Sequence, residues 1–220
     1  MRVLSWNLFH GRSVPGSYRN LLPAFAQQLA EWEWDVALLQ EVPPWWPPEL
    51  ARAAGASQRT ALTSRNSFLP VRRWLAERFP DIMKSEGGGS NAILARGHRI
   101  DQHRIRPVAV TPERRVVHGV QLDASLWVVN LHLTAHHPAQ ADAERVVARE
   151  TALRWAGRGA PPIVLGAGGS VRGPRSREAL RPRAHPRGTA LRSGRFRPTH
   201  VGGPICAVSE SCSCSSPPSA

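Results

Sequence analysis

The run Asp35-Val36-Ala37-Leu38-Leu39-Gln40-Glu41-Val42, closed by Pro43-Pro44, limits what this chain can become more than any other stretch does. A helix would need roughly 10–12 residues, and this run is shorter and apolar on both faces, so it predicts a buried strand of the parallel type. Such strands lie inside covered sheets, and in α/β architectures ligand sites collect at their carboxyl ends. Glu41 stands at that end. A glutamate there is either a solvated loop residue or a carboxylate delivered to a cleft, and its neighbours in the sequence decide which.

Upstream, Arg2-Val3-Leu4-Ser5-Trp6-Asn7-Leu8 alternates as a strand, with Asn7 near its end. Asn7 suits a turn with Gly11, because asparagine caps local backbone, and it also suits a ligand role. From Tyr18 to Trp34 the residues Leu21, Leu22, Phe25, Leu29 and Trp32 recur at helical spacing. Strand, helix and strand form a βαβ unit, whose parallel strands bring Asn7 and Glu41 to one sheet edge.

The same reading continues downstream. Pro43-Pro44-Trp45-Trp46-Pro47-Pro48 is a stiff loop whose tryptophans either cover a helix at Glu49–Ala54 or stack on a base or sugar. Leu69–Phe79 reads as a helix stopped by Pro80, and Gly87-Gly88-Gly89-Ser90-Asn91-Ala92-Ile93-Leu94-Ala95-Arg96 as a strand led by glycines. Ile105–Val110, Val116–Leu122 and Leu126–Leu133 read as consecutive strands, followed by a helix over Asp142–Trp155 and a buried strand from Pro161 to Gly166.

Leu4-Ser5-Trp6-Asn7 followed by Asp35-Val36-Ala37-Leu38-Leu39-Gln40-Glu41 resembles the opening of the endonuclease/exonuclease/phosphatase superfamily, the deoxyribonuclease I-like hydrolases. The glycine-led strand and Trp127-Val128-Val129-Asn130-Leu131-His132-Leu133 resemble two further motifs of that family. The resemblance covers roughly residues 1–171. It implies an α/β fold, the four-layer α/β sandwich of deoxyribonuclease I-like proteins, here incomplete at the C-terminus. It also implies a metal-dependent phosphoester hydrolase in which Glu41 and Asn7 hold Mg²⁺ or Mn²⁺, His132 contacts the scissile phosphate and Asn91 touches substrate. A hard cation held by few carboxylates, with water and phosphate in its other positions, agrees with that ligand set.

The pattern then breaks. Where the family has Gly-Asp-x-Asn, this chain reads Leu165-Gly166-Ala167-Gly168-Gly169-Ser170, which places Gly168 and Ser170 where an aspartate and an asparagine would activate water. The family's later Asp-His pair is missing as well, since no aspartate follows Asp142 and no asparagine follows Asn130. Without a carboxylate to orient a base, neither His185 nor His200 is assigned to catalysis, and turnover is expected to be impaired or lost. Metal binding is expected to be weak.

The formal net charge of +13 points to an anionic partner, a phosphate-containing substrate with nucleic acid among the candidates. About half of that excess lies in the last 60 residues, however, and all basic residues except Lys84 are arginine, which a GC-rich genome also produces. Arg172 to Arg197 holds nine arginines and one glutamate, and all eight tryptophans precede it. Residues 172–220 are therefore expected to be a disordered tail beside a domain at 1–171. A basic tail on a degenerate enzyme and a reading-frame shift near codon 166 both explain it, and the abrupt loss of Asp, Asn and periodicity favours the shift.

The other functional class open to this sequence is a non-catalytic, basic nucleic-acid-binding module on a degenerate nuclease scaffold, gripping phosphates through Arg172–Arg197. No stretch reaches the roughly 18 apolar residues of a membrane span, and the chain opens on a strand, so a cytoplasmic protein with no membrane partner is expected. Cys206, Cys212 and Cys214 cluster at the C-terminal end and offer no disulfide framework.

Overall fold

The computed structural model describes residues 1–167 other than 14, 15, 18, 64, 65, 80–88, 112, 135, 136 and 159–161. Expectations about the 172–220 segment, the three cysteines, Gly168, Ser170, Gly87 and Gly88 fall outside the described residues.

Two four-stranded sheets face one another. The first runs β1 (Val3–Asn7), β2 (Val36–Val42), β4 (Ser90–Ala95), β3 (Ser57–Leu62), and the second β5 (Ile100–Ala109), β6 (Arg115–Leu122), β7 (Leu126–His132), β8 (Ile163–Ala167). β1 pairs with β2 and β7 with β8 in parallel, and the remaining neighbours are antiparallel. The Asp35–Glu41 run is thus the central strand β2, buried because a neighbour flanks it on each side and packed layers cover both its faces.

Between the sheets lie Val36, Leu38, Ile93, Ala95, Val120, Leu122 and Val128. The outer face of the first sheet is covered by α1 (Leu22–Glu31) and α2 (Pro47–Ala53), through Phe25, Leu29, Leu50 and Ala51 against Trp6, Ala37, Leu39 and Leu94. α4 (Pro138–Ala156) covers the other outer face, setting Ala141, Ala148 and Ala152 on Val117, Val129 and Leu131. Helix, sheet, sheet, helix makes four layers, each sheet burying both faces by period-two alternation. Arg96 ties the helical layer down by donating to the carbonyls of Ala54, Leu29 and Trp32, with its guanidinium 4.0 Å from the Trp34 ring centre.

Element boundaries depart from the sequence reading where side chains cap or stop them. The helix expected over Tyr18–Trp34 is the shorter α1: Asn20 Oδ1 accepts the Leu22 N–H and Pro23 starts the first turn, while Trp32 is already extended. α3 (Leu69–Arg78) forms where expected but buries none of its residues. The strand β3 was not expected at all. Its Ser57-Gln58-Arg59-Thr60 lacks the apolar alternation that marks a strand, and it is held by its ladder with β4 at the edge of the sheet. Trp46 is buried against Phe25, and Trp45 packs on the same cluster, so both cover the helical layer.

Candidate functional site

Parallel pairing of β1 with β2 brings their carboxyl ends together, with Asn7 in register with Gln40. One residue later the alternation of β2 slips. Leu39 and Val42 both face the helical layer although they are three apart, and the register with β4 shifts between them. Glu41 is the extra residue of this bulge, with φ at 51°, a left-handed conformation that a non-glycine residue takes only when its surroundings compel it. The bulge sends Val42 into the core in place of Glu41, which is left at the sheet edge with its side chain 19% exposed.

Three side chains converge on that carboxylate. Asn7 Nδ2 donates to Glu41 Oε1 at 3.0 Å, His132 Nε2 lies 3.3 Å from the same oxygen, and His10 Nε2 lies 3.2 Å from Oε2. A carboxylate can only accept, so each imidazole presents its Nε2–H. Burial alone pushes the Glu41 carboxyl up. The His132 hydrogen bond, the charges of His10 and His132 and the Asn7 amide outweigh it and hold the group at about 2, so Glu41 is an anion throughout the physiological range.

His10 was not anticipated from the sequence. It sits at φ 55° in a single 3-10 turn, Phe9–Gly11, which has no periodicity to read. The turn is nevertheless built by residues that were visible. Asn7 Oδ1 accepts the Phe9 N–H at 2.9 Å, so Asn7 caps the turn while its amide nitrogen reaches Glu41. Gly11 has φ at 74°, and a Cβ there would stand 2.4 Å from the Trp46 ring, which fixes the turn against the Pro43–Trp46 loop.

His132 closes β7 and is 9% exposed, with Nδ1 buried and unpartnered among the described residues. The loop that follows is pinned by Glu144, which accepts from the Thr134 N–H, the Thr134 hydroxyl and the Gln140 amide. That buried carboxylate is therefore engaged away from the site. Asn91 lies on β4, 1% exposed, and neither of its amide atoms has a partner among the described residues, so no hydrogen bond joins it to the cluster.

Behind the cluster two buried amides bridge the sheets. Gln40 Nε2 donates to Asn130 Oδ1 at 2.7 Å, and Asn130 Nδ2 donates to the carbonyls of Leu39 at 2.8 Å and Ala92 at 3.0 Å. Both residues are wholly buried.

A hard divalent cation needs a few oxygen donors, at least one of them ionised. Glu41 meets these needs in part: it is an ionised oxygen donor and is partly open to solvent. Asn7 meets them only with its amide turned over, since its oxygen is committed to the Phe9 N–H. Among the described residues no three His, Cys, Asp or Glu side chains are grouped to hold a metal.

No protein-family model matches this chain, and no curated protein sequence does. Solved structures do. An endonuclease/exonuclease/phosphatase protein from Beutenbergia cavernae superposes with a TM-score of 0.54 at 18% identity, over 74% of this chain and 46% of that one. The mannosyl-6-phosphatase of Bacteroides thetaiotaomicron gives 0.54 at 16% identity, over 76% and 64%. TDP2 of Caenorhabditis elegans gives 0.51 at 14%, over 74% and 45%. Two facing sheets between helical layers are the fold this chain shares with these structures. This chain spans less than two thirds of the length of each of these three structures. No helix among the described residues is long and apolar enough to cross a membrane.

Proposed function

We propose that this chain is a metal-dependent phosphoester hydrolase scaffold that binds a divalent cation weakly and turns substrate over poorly. The observation that carries the reading is the ionised Glu41 held between His10, His132 and Asn7 at the edge of a deoxyribonuclease I-like sandwich. Glu41 would hold Mg²⁺ or Mn²⁺, with Asn7 joining once its amide turns. The bound cation would supply Lewis-acid polarisation of a phosphoryl oxygen. A phosphate is repelled by a bare carboxylate, so Glu41 excludes the substrate until its charge is matched. His132 and His10, no longer needed to neutralise Glu41, then offer N–H donors to phosphoryl oxygens, and before the cation binds the Asn7 amide holds the Glu41 side chain at the sheet edge.

General-base help is the missing part. Losing it typically costs about 10²–10⁴-fold in rate, and Gly168 and Ser170 stand where the family places its water-activating residues. The test is hydrolysis of bis(p-nitrophenyl) phosphate and of DNA by the 220-residue chain, with Mg²⁺, with Mn²⁺ and with chelator, beside calorimetric titration of both metals. Expected are weak metal binding that Glu41→Gln abolishes and barely measurable turnover that chelation removes. Rapid turnover would overturn the impairment, and metal binding retained by Glu41→Gln would overturn the site.

A further inference from the structure

We infer that Asn130 is the positioning residue of this site: from the opposite sheet it holds the bulge in β2 that turns Glu41 toward His132. The inference rests on Glu41 being the functional carboxylate, as proposed above.

The bonds of Asn130 all go to one place. Its two amide hydrogens meet the carbonyls of Leu39 and Ala92, which are the last regular pair of β2 and β4 before the register slips. Its oxygen accepts from Gln40, the residue just before Glu41, and the second hydrogen of the Gln40 amide is shared between the Leu38 carbonyl at 3.1 Å and the Ser5 hydroxyl on β1 at 3.3 Å. One side chain from β7 thereby gathers β2 and β4 directly, and β1 through Gln40, at the point where β2 departs from the ladder. A bulge disrupts local ladder pairing, and a left-handed glutamate is strained, so the conformation persists only if something outside the strand stabilises it.

Packing alone would not select asparagine here. Leu38, Val120 and Val128 share the layer between the sheets, and an amide among them is unfavourable unless its donors and acceptor are matched. Asn130 is matched on all counts, by Gln40 and by the last paired carbonyls before the bulge. Its place in the strand adds a second effect. His132 lies two residues on and on the same face of β7, so the contact that fixes Asn130 against β2 also sets the reach from His132 to Glu41.

The test reads the backbone of Glu41 and not turnover, so it is decided whether or not the chain binds metal or hydrolyses anything. A residue with positive φ gives a strong intraresidue H–N to Hα nuclear Overhauser effect, and this is measured at Glu41 in the full chain. Asn130→Val removes every bond to the bulge, and Asn130→Asp keeps the shape but cannot donate to the two carbonyls. Val128→Ala is the control, loosening the same strand on the same face. Expected is a positive-φ signature at Glu41 in the wild type and in Val128→Ala, and its loss in both Asn130 variants. Asn130 variants that fold and retain the signature overturn the inference. Should neither variant fold, the wild type decides it. Asn130 side-chain amide protons that exchange as slowly as the backbone amides of β2 support the clamp, and fast exchange refutes it. If Mn²⁺ binds, both variants should weaken it by about 10–100-fold, as loss of an orienting partner does.

Discussion

Glu41 spends its conformational strain on position and is repaid in charge. Its carboxyl falls from an ordinary 4.5 to about 2, so the group contributes stability that is complete above pH 4.5 and is lost as pH falls toward 2. Glu41→Gln should flatten the acid limb of the stability curve across that window, which metal-free thermal unfolding at a series of pH values would show. His118 behaves differently. It is wholly buried between the sheets beside His103, neither ring nitrogen has a partner among the described residues, and burial reinforced by His103 lowers it from 6.5 to about 3. The unfolded chain then binds a proton that the folded chain refuses, so stability declines as pH drops from about 6.5 to about 3. His118→Leu should remove that part of the decline, and an unchanged pH profile would show that His118 titrates alike in both states. At this scale the meeting of Asn7, Glu41 and His132 at one sheet edge was legible because each lies at or near the end of a strand inside a recognisable motif. His10 was not, because a single capped turn leaves no period in the sequence. Asn130 stood in plain view two places from His132, but its partners lie on the other sheet.

Elements declare themselves in sequence to the degree that their burial is periodic. β2, β6 and β7 alternate or run apolar and were readable nearly to the residue, whereas β3 and the first half of β5 are polar edge segments that depend on their neighbours for strand geometry. The turn between β1 and α1 is the element on which the site leans most. Gly11 supplies its left-handed φ, and its missing Cβ admits the Trp46 ring. Gly11→Ala should therefore destabilise the chain by about 1–3 kcal/mol, the usual range for overpacking a core, with a further share from the disfavoured φ. Denaturant unfolding would measure the loss. The same variant should weaken any metal binding at Glu41, since His10 rides on this turn.

At the scale of the molecule, three apolar clusters among the described residues hold the layers together, and these are built from hydrophobic side chains without an ion. Chelator should accordingly leave the unfolding midpoint of the chain unchanged. Added Mg²⁺ or Mn²⁺ should raise the midpoint once its concentration exceeds the dissociation constant, because binding stabilises the folded chain by about 2.7 kcal/mol at a hundredfold excess, and Glu41→Gln should abolish the rise. A fall on chelation would mean that the fold itself depends on metal. The four-layer architecture was within reach of the sequence only through the family resemblance carried by the motifs around Asn7, Glu41 and His132, while the patterning of β2, β6 and β7 located individual strands. The meeting of both sheets at one polar bridge was not, because no local rule records which residues face each other across a gap.

That bridge has a consequence for how the chain is made. Asn7 and Glu41 are 34 residues apart, whereas Gln40 and Asn130 are separated by 90. A nascent chain emerging from the ribosome can pair β1 with β2 early, by closing a modest loop. The amide that caps the Leu39 carbonyl arrives only after α2, β3, α3, β4, β5 and β6 have been synthesised. Long-range closures of this kind are slow, and domains tend to fold as units once enough chain is available. The carboxylate and its histidine therefore come into alignment late in translation, and a ribosome that stalls before codon 130 releases a product with the residues of the first two motifs but no aligned site.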